Sequence, residues 1–182
     1  MVPVRIKFSK TGSLKFISHL DLMRTMKSAM IRAKIPVLYS EGYNPRPKMV
    51  FTMPLSIGTE SFCEVLDIKI TEPMDFELIK ERLTNSLPNE LRIRNVYTPI
   101  NKISDIGYAQ YRITFDEEID IEKITHPLVK NYSYLDRNLF VLLSADSNNY
   151  LNPNNLAKEL TASGYDILKL CNFLKDGETA FI

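Results

Sequence analysis

The chain has 182 residues, 45% of them apolar, 25% charged and 10% aromatic, a composition for one large folded domain or two small ones. Its formal charge is only +1, yet residues 1–60 hold 10 basic and 3 acidic side chains (+7) while residues 61–182 hold 13 and 19 (−6). No apolar run nears the ~18–20 residues of a membrane span, no signal-peptide core follows Arg5, Lys7 and Lys10, and Cys63 and Cys171 match no metal or redox spacing.

In chain order, Val4-Arg5-Ile6-Lys7-Phe8 alternates apolar and basic residues and predicts a half-buried strand. Thr11-Gly12-Ser13 turns the chain. Ser18 and Asp21 form a capping box that opens a helix, with Leu22, Met26, Ala29, Met30 and Ala33 on one face. Arg24, Lys27 and Lys34 lie opposite, and Pro36 stops the helix. Met23, Met26 and Met30 read as adaptable core. Met49 to Leu55 and Phe62 to Ile70 are strands, Asp75 caps a helix from Phe76 to Leu87, and Leu91 to Val96 alternates again. The order β-α-β-β-α-β predicts a ferredoxin-like unit over residues 1–98.

A boundary is expected in the segment Tyr97 to Gly107. Beyond it, over 107–182, the pattern predicts a second, abbreviated α+β unit packed on the first. Its parts are a strand from Tyr108 to Phe115, a short helix from Ile119 to Val129 and a strand from Leu135 to Ala145. A helix follows over Leu156 to Ser163, opened by Asn152-Pro153-Asn154 and capped by Gly164, and the last strand runs from Ile167 to Leu174. The fold class is α+β.

The predicted ferredoxin-like order makes strands one and four neighbours. Val4, Ile6, Phe8, Leu91 and Ile93 then point inward, and Arg5, Lys7, Arg92 and Arg94 point outward, joined by Asp67 and Lys69. Such a face attracts phosphates without reading bases. Arg24 and Lys27 add a basic helical surface. Between Tyr39 and Lys48, Pro45 and Pro47 stiffen the chain around Arg46, and Gly42 permits a sharp turn. Tyr39 and Tyr43 beside Arg46 and Lys48 are the combination that stacks on unpaired bases while holding their phosphates. The bland alternatives are a solvated face and a Pro-rich connection packed on the sheet. His19, at the helix start, is the stronger of the two histidines as a proton-transfer group, His126 before Pro127 being weaker; a structural hydrogen bond is its commoner use. Glu41, Glu60 and Glu64 are too scattered along the chain to define an acid–base pair, and no metal site is expected.

The runs Phe8-Ser9-Lys10-Thr11-Gly12-Ser13-Leu14-Lys15-Phe16-Ile17-Ser18-His19-Leu20-Asp21-Leu22, Tyr39 to Lys48 and Pro54 to Ser61 resemble the radical-SAM-linked domain of unknown function. This is a bacterial family found free-standing or as the C-terminal part of a radical SAM protein. The resemblance implies partnership with a radical SAM enzyme. It does not imply radical chemistry in this chain, because two cysteines cannot supply the three ligands of that iron–sulfur cluster. Asp21, Glu41, Gly42, Asn44 and Glu60 are shared motif positions of unknown role.

The expectation is thus a cytoplasmic adaptor without a cofactor that presents tRNA or rRNA to a radical SAM protein. Its RNA contacts would be Arg5, Lys7, Arg24, Lys27, Tyr39, Tyr43, Arg46, Lys48, Arg92 and Arg94. Two alternatives stand beside it: an RNA-cleaving or RNA-modifying enzyme of double ferredoxin-like build using His19, and a purely protein-binding module.

Overall fold

A computed structural model describes residues 1–146 and 148–180 as a mixed α+β protein. Contacts divide it into two units, residues 1–54 with 64–103, and residues 55–63 with 104–182.

The first unit contains β1 (Val2–Lys10), α1 (His19–Arg32), β2 (Met49–Phe51), α2 (Phe76–Thr84) and β4 (Leu91–Tyr97), with residues 64–70 of β3 (Thr59–Ile70). Its strands run in the order β4-β1-β3, and β2 lies along β3 with Met49 opposite Ile68 and Phe51 opposite Leu66. β1 and β4 are antiparallel, Ile6 opposite Val96 and Phe8 opposite Ile93, with a bulge between Lys7 and Phe8. The core comes from the apolar positions of each element: Val4, Ile6 and Phe8, Leu22, Met26 and Met30, Leu66 and Ile68, Ile79 and Leu83. Each of these side chains contributes about 1.5–3 kcal/mol by leaving water. The α1 start is capped as its sequence requires, the Ser18 hydroxyl accepting from the Asp21 amide at 3.1 Å.

The second unit contains β5 (Ile106–Phe115), β6 (Val129–Leu135), β7 (Asn138–Asp146), β8 (Asn149–Tyr150), α3 (Pro153–Leu160), β9 (Tyr165–Leu174) and β10 (Thr179–Ala180). Its strands are ordered β9-β5-β7-β6 with antiparallel pairing, and residues 59–61 of β3 pair parallel to 167–169 of β9. Asn152 caps α3 with Pro153 in its first turn. No disulfide joins Cys63, which is buried, to Cys171, which is half-buried. Among the described residues, no helix is long and apolar enough to cross a membrane.

Several expectations are corrected. Arg5 does not point outward into solvent: β1 is buried along nearly its whole length, and Arg5 is among the most buried side chains. The helix expected from Ile119 to Val129 is a single 3-10 turn, Ile121–Lys123, followed by β6. A run of acidic side chains and His126-Pro127 leaves too few apolar positions there for a helical face. The strand expected from Leu135 to Ala145 begins at Asn138, because Asp136 (φ 49°) and Arg137 (φ 62°) form a left-handed turn that folds β7 back on β6. Gly164 is not a C-cap, since α3 ends at Leu160 with Thr161 in the capping position. Gly164 instead lies against Asp116: its carbonyl oxygen accepts from Asp116 N at 3.0 Å, and a Cβ there would oblige the Asp116 carboxylate to turn aside. The first β-strand after the Pro-rich loop stops at Phe51 rather than Leu55, and α2 stops at Thr84 rather than Leu87.

Candidate functional site

Two groups of side chains in the first unit carry chemistry. One is a buried ionisable cluster where β1 ends and α1 begins. Lys10 and Glu64 are both almost wholly buried, on the neighbouring strands β1 and β3. Thr52, just past β2, is buried with them and its hydroxyl donates to Glu64 Oε2 at 2.9 Å. The backbone places it there: Thr52 N donates to Val65 O, which continues the β2–β3 pairing by one residue. Lys10 Nζ donates to Lys15 O at 3.5 Å. His19, the first residue of α1, is half-buried with its ring edge-on to Phe51, centroids 5.5 Å apart. Phe51 in turn packs edge-on against Phe8.

Burial holds the Lys10 amine below the usual lysine range, partly offset by the Glu64 carboxylate. Burial likewise lowers His19; Glu64 pulls it up and Lys10 pushes it down. A half-exposed imidazole kept neutral beside a buried cation and a buried carboxylate can accept a proton from a bound group. Among the described residues, no set of His, Cys, Asp and Glu could hold a metal ion.

The second group is the loop from Tyr39 to Lys48. It closes on itself: Ser40 N donates to Arg46 O and Lys48 N to Leu38 O, both at 2.8 Å, and Arg46 N donates to the Ser40 hydroxyl at 3.0 Å. Tyr39 bridges Pro47 at its base. Gly42 sits at φ 118°, a backbone angle that a side chain would strain, so the tight tip depends on glycine. Tyr43 is fully exposed at that tip, and Glu41, Asn44, Arg46 and Lys48 are exposed or half-exposed around it. No carboxylate lies within ion-pair distance of Arg46 or Lys48 among the described residues.

The other cations of the expected surface fare differently. Arg5 Nε and Nη2 donate to the two Asp67 carboxylate oxygens at 2.6 and 2.7 Å, and its Nη1 and Nη2 also donate to the side chain and backbone of Asn101. With its guanidinium engaged on both sides and no exposed surface, it is not available to a phosphate. Lys7 is half-buried. Arg92 and Arg94 are exposed on β4; they line a surface cavity of about 330 Å³ with Thr84, Pro88 and Asn89, and Arg94 Nε donates to the Ser9 hydroxyl at 3.2 Å. On α1, Lys27 is exposed and Arg24 pairs with Asp21 at 3.2 Å. Asp21 is held below the ordinary carboxylate range, chiefly by the Ser18 hydroxyl, which makes it part of the helix cap. Glu60 is half-buried and belongs to the second unit.

Residues 4–135 match the family described as an uncharacterised protein conserved in bacteria (DUF2344). The chain belongs to that family. No curated protein matches it. The DUF2344 match spans the first unit from residue 4 onward, including the ionisable cluster and the loop.

Sequence reasoning singled out His19 and the loop but missed Lys10, Thr52 and Glu64 as a group. One signal was present: Glu64 interrupts the otherwise apolar run Cys63-Glu64-Val65-Leu66, and a charge in such a run needs a buried partner. That its neighbours would be Lys10 and Thr52 depends on strand order.

Proposed function

We propose that this DUF2344 protein is an RNA-binding adaptor that works with a radical SAM enzyme in tRNA or rRNA modification or processing. The observation that carries the reading is the closed 39–48 loop, which holds an exposed tyrosine within a few residues of two cations that have no carboxylate at ion-pair distance among the described residues. Preordering lowers the entropy lost on binding, the aromatic ring offers a stacking surface, and the cations neutralise phosphates. Arg92 and Arg94 around their cavity, and Lys27 on α1, extend the contact surface. The +7 charge of residues 1–60 favours a polyanion. The radical SAM partner is supported by the motif resemblance alone.

The ferredoxin-like description of the first unit belongs to the same proposal. It is supported by β1-α1-β2-β3-α2-β4 in chain order and by the neighbours β4-β1-β3-β2, with the second unit an abbreviated α+β counterpart.

Titrating labelled tRNA and rRNA fragments across salt concentrations tests the binding. Wild type should bind with a steep salt dependence, and Arg46→Ala with Lys48→Ala should weaken it at every salt. Absence of binding at low salt rejects the adaptor reading. Co-purification with a radical SAM protein after nuclease treatment tests the partnership.

A second reading is favoured by His19 beside Lys10 and Glu64: proton transfer on the bound RNA. RNA product formed by wild type and abolished in His19→Ala would support it, whereas product that survives the substitution removes His19 from the chemistry.

A further inference from the structure

We propose that the second unit reads one unpaired base of the RNA, in a shallow cavity on the open face of its sheet. The proposal rests on the RNA-binding reading above and adds base recognition to it.

The pairing registers build the cavity. Across β5, β7 and β6, Gln110, Leu142 and Asn131 lie opposite one another in one row, and Arg112, Phe140 and Ser133 in the next. Opposed residues share a face, as do residues two apart on a strand, so the two rows lie side by side on one face of the sheet. The alternate positions, Ala109, Tyr111 and Ile113 of β5 and Leu139, Val141 and Leu143 of β7, are buried on the other face. Gln110, Asn131, Ser133, Phe140 and Leu142, with Phe173 from the neighbouring β9, line a cavity of about 160 Å³. That is well short of the ~300–1,000 Å³ of pockets that enclose a whole small molecule. It suits one flat ring whose remaining atoms stay outside, as in a base carried by a strand.

The side chains match a base in kind. Phe140 is 36% exposed on the solvent side of its strand, where a polar residue is expected, and an aromatic ring there stacks on the face of a base. Gln110 and Asn131 each set a donor beside an acceptor, the pattern of a base edge. Cys171 Sγ donates to Gln110 Oε1 at 3.3 Å, which orients that amide. Gln110 Nε2 and the side chains of Asn131 and Ser133 have no hydrogen-bond partner among the described residues. No charged side chain is among the described residues that line the cavity, which suits a neutral ring. Arg112, directly opposite Phe140, is exposed, and among the described residues no carboxylate lies within ion-pair distance of it. It can hold the phosphate next to the base. Phosphate contacts position an RNA and base contacts give sequence preference, so the cations of the first unit do the former and this cavity the latter.

Binding of the full chain to short unpaired RNAs, made of A, C or U alone or of U with G, tests the proposal. Wild type should prefer one base by about tenfold or more, the discrimination of a well-matched base edge. Gln110→Ala with Asn131→Ala should bring that RNA level with the others, with the salt slope unchanged because no phosphate contact is lost. Gln110→Glu keeps the shape and removes the amide donor; it should lower the preference while circular dichroism stays the same. Arg46→Ala with Lys48→Ala should weaken all four RNAs and keep the preference. A wild type that binds every RNA equally, with a steep salt dependence, overturns the base cavity and leaves the adaptor reading standing. A preference that survives both sets of Gln110 substitutions overturns it as well. A free nucleoside that binds as tightly as the strand makes the cavity a small-molecule site and overturns the assignment to RNA. Absence of all RNA binding at low salt rejects the adaptor reading and this proposal together.

Discussion

Strand β1 and the 39–48 loop each contain a pair of cations two residues apart, Arg5 with Lys7 and Arg46 with Lys48. In the strand, Arg5 is sealed beneath Asp67 and Asn101, and Lys7 is half-buried. In the loop, Arg46 and Lys48 are exposed, and among the described residues no carboxylate lies within ion-pair distance of either. The same spacing thus yields a structural ion pair in one place and an anion-seeking surface in the other. Spacing determines which side chains share a face; what covers that face comes from distant parts of the chain. Asp67 lies 62 residues from Arg5, and Asn101 lies 96 residues from it.

The largest effect that separates the two regions is expected at Arg5. Arg5→Met leaves Asp67 partly buried without its bidentate partner and should lower the unfolding free energy by about 3 kcal/mol in urea titrations. A loss under about 0.5 kcal/mol would place Arg5 with the surface cations after all. In the loop the balance should invert: Tyr43→Ala should leave stability within about 0.5 kcal/mol. It should cost about 1–3 kcal/mol of RNA affinity if one base stacks there. Arg46→Ala should reduce the slope of log affinity against log salt by about 1, as expected when one fewer phosphate is neutralised. An unchanged slope would move the phosphate-binding role to other cations.

The smallest effect concerns pH. The folded-state value of His19 lies below its unfolded value, so the unfolded chain takes up this proton first as pH falls. The contribution is fully present above the unfolded value near 6.5 and is lost as pH drops below it, through the folded value. Unfolding measured at pH 8 and pH 5.5 should therefore show a smaller decrease for His19→Gln than for wild type. An equal decrease would mean that the imidazole is not held in the cluster described.

Much of the first unit was legible in the sequence because its signals are local. The capping box at Ser18 and Asp21 and the apolar face from Leu22 to Met30 depend on residues within one or two helical turns of each other. The stiff loop was legible as well, since prolines and glycine act on their own backbone. The stretch from Ile119 to Leu135 was misread because its few apolar residues suit a strand as well as a helix, and β7 decides between them. The cluster of Lys10, Thr52 and Glu64 was illegible for a related reason: its members lie on three separate segments.

By itself, then, the sequence determined where helices start, where the chain turns, the excess of positive charge over residues 1–60 and the makeup of the exposed loop. These follow from backbone preference and short-range periodicity. Tertiary structure alone decided that Arg5 is an internal ion-pair partner, that Glu64 and Lys10 share a buried pocket of charge beside His19, and that β6 ends the strand order beside β7. Each of these depends on which distant strand lies alongside, because burial and pairing arise from long-range contacts that no short window of residues encodes.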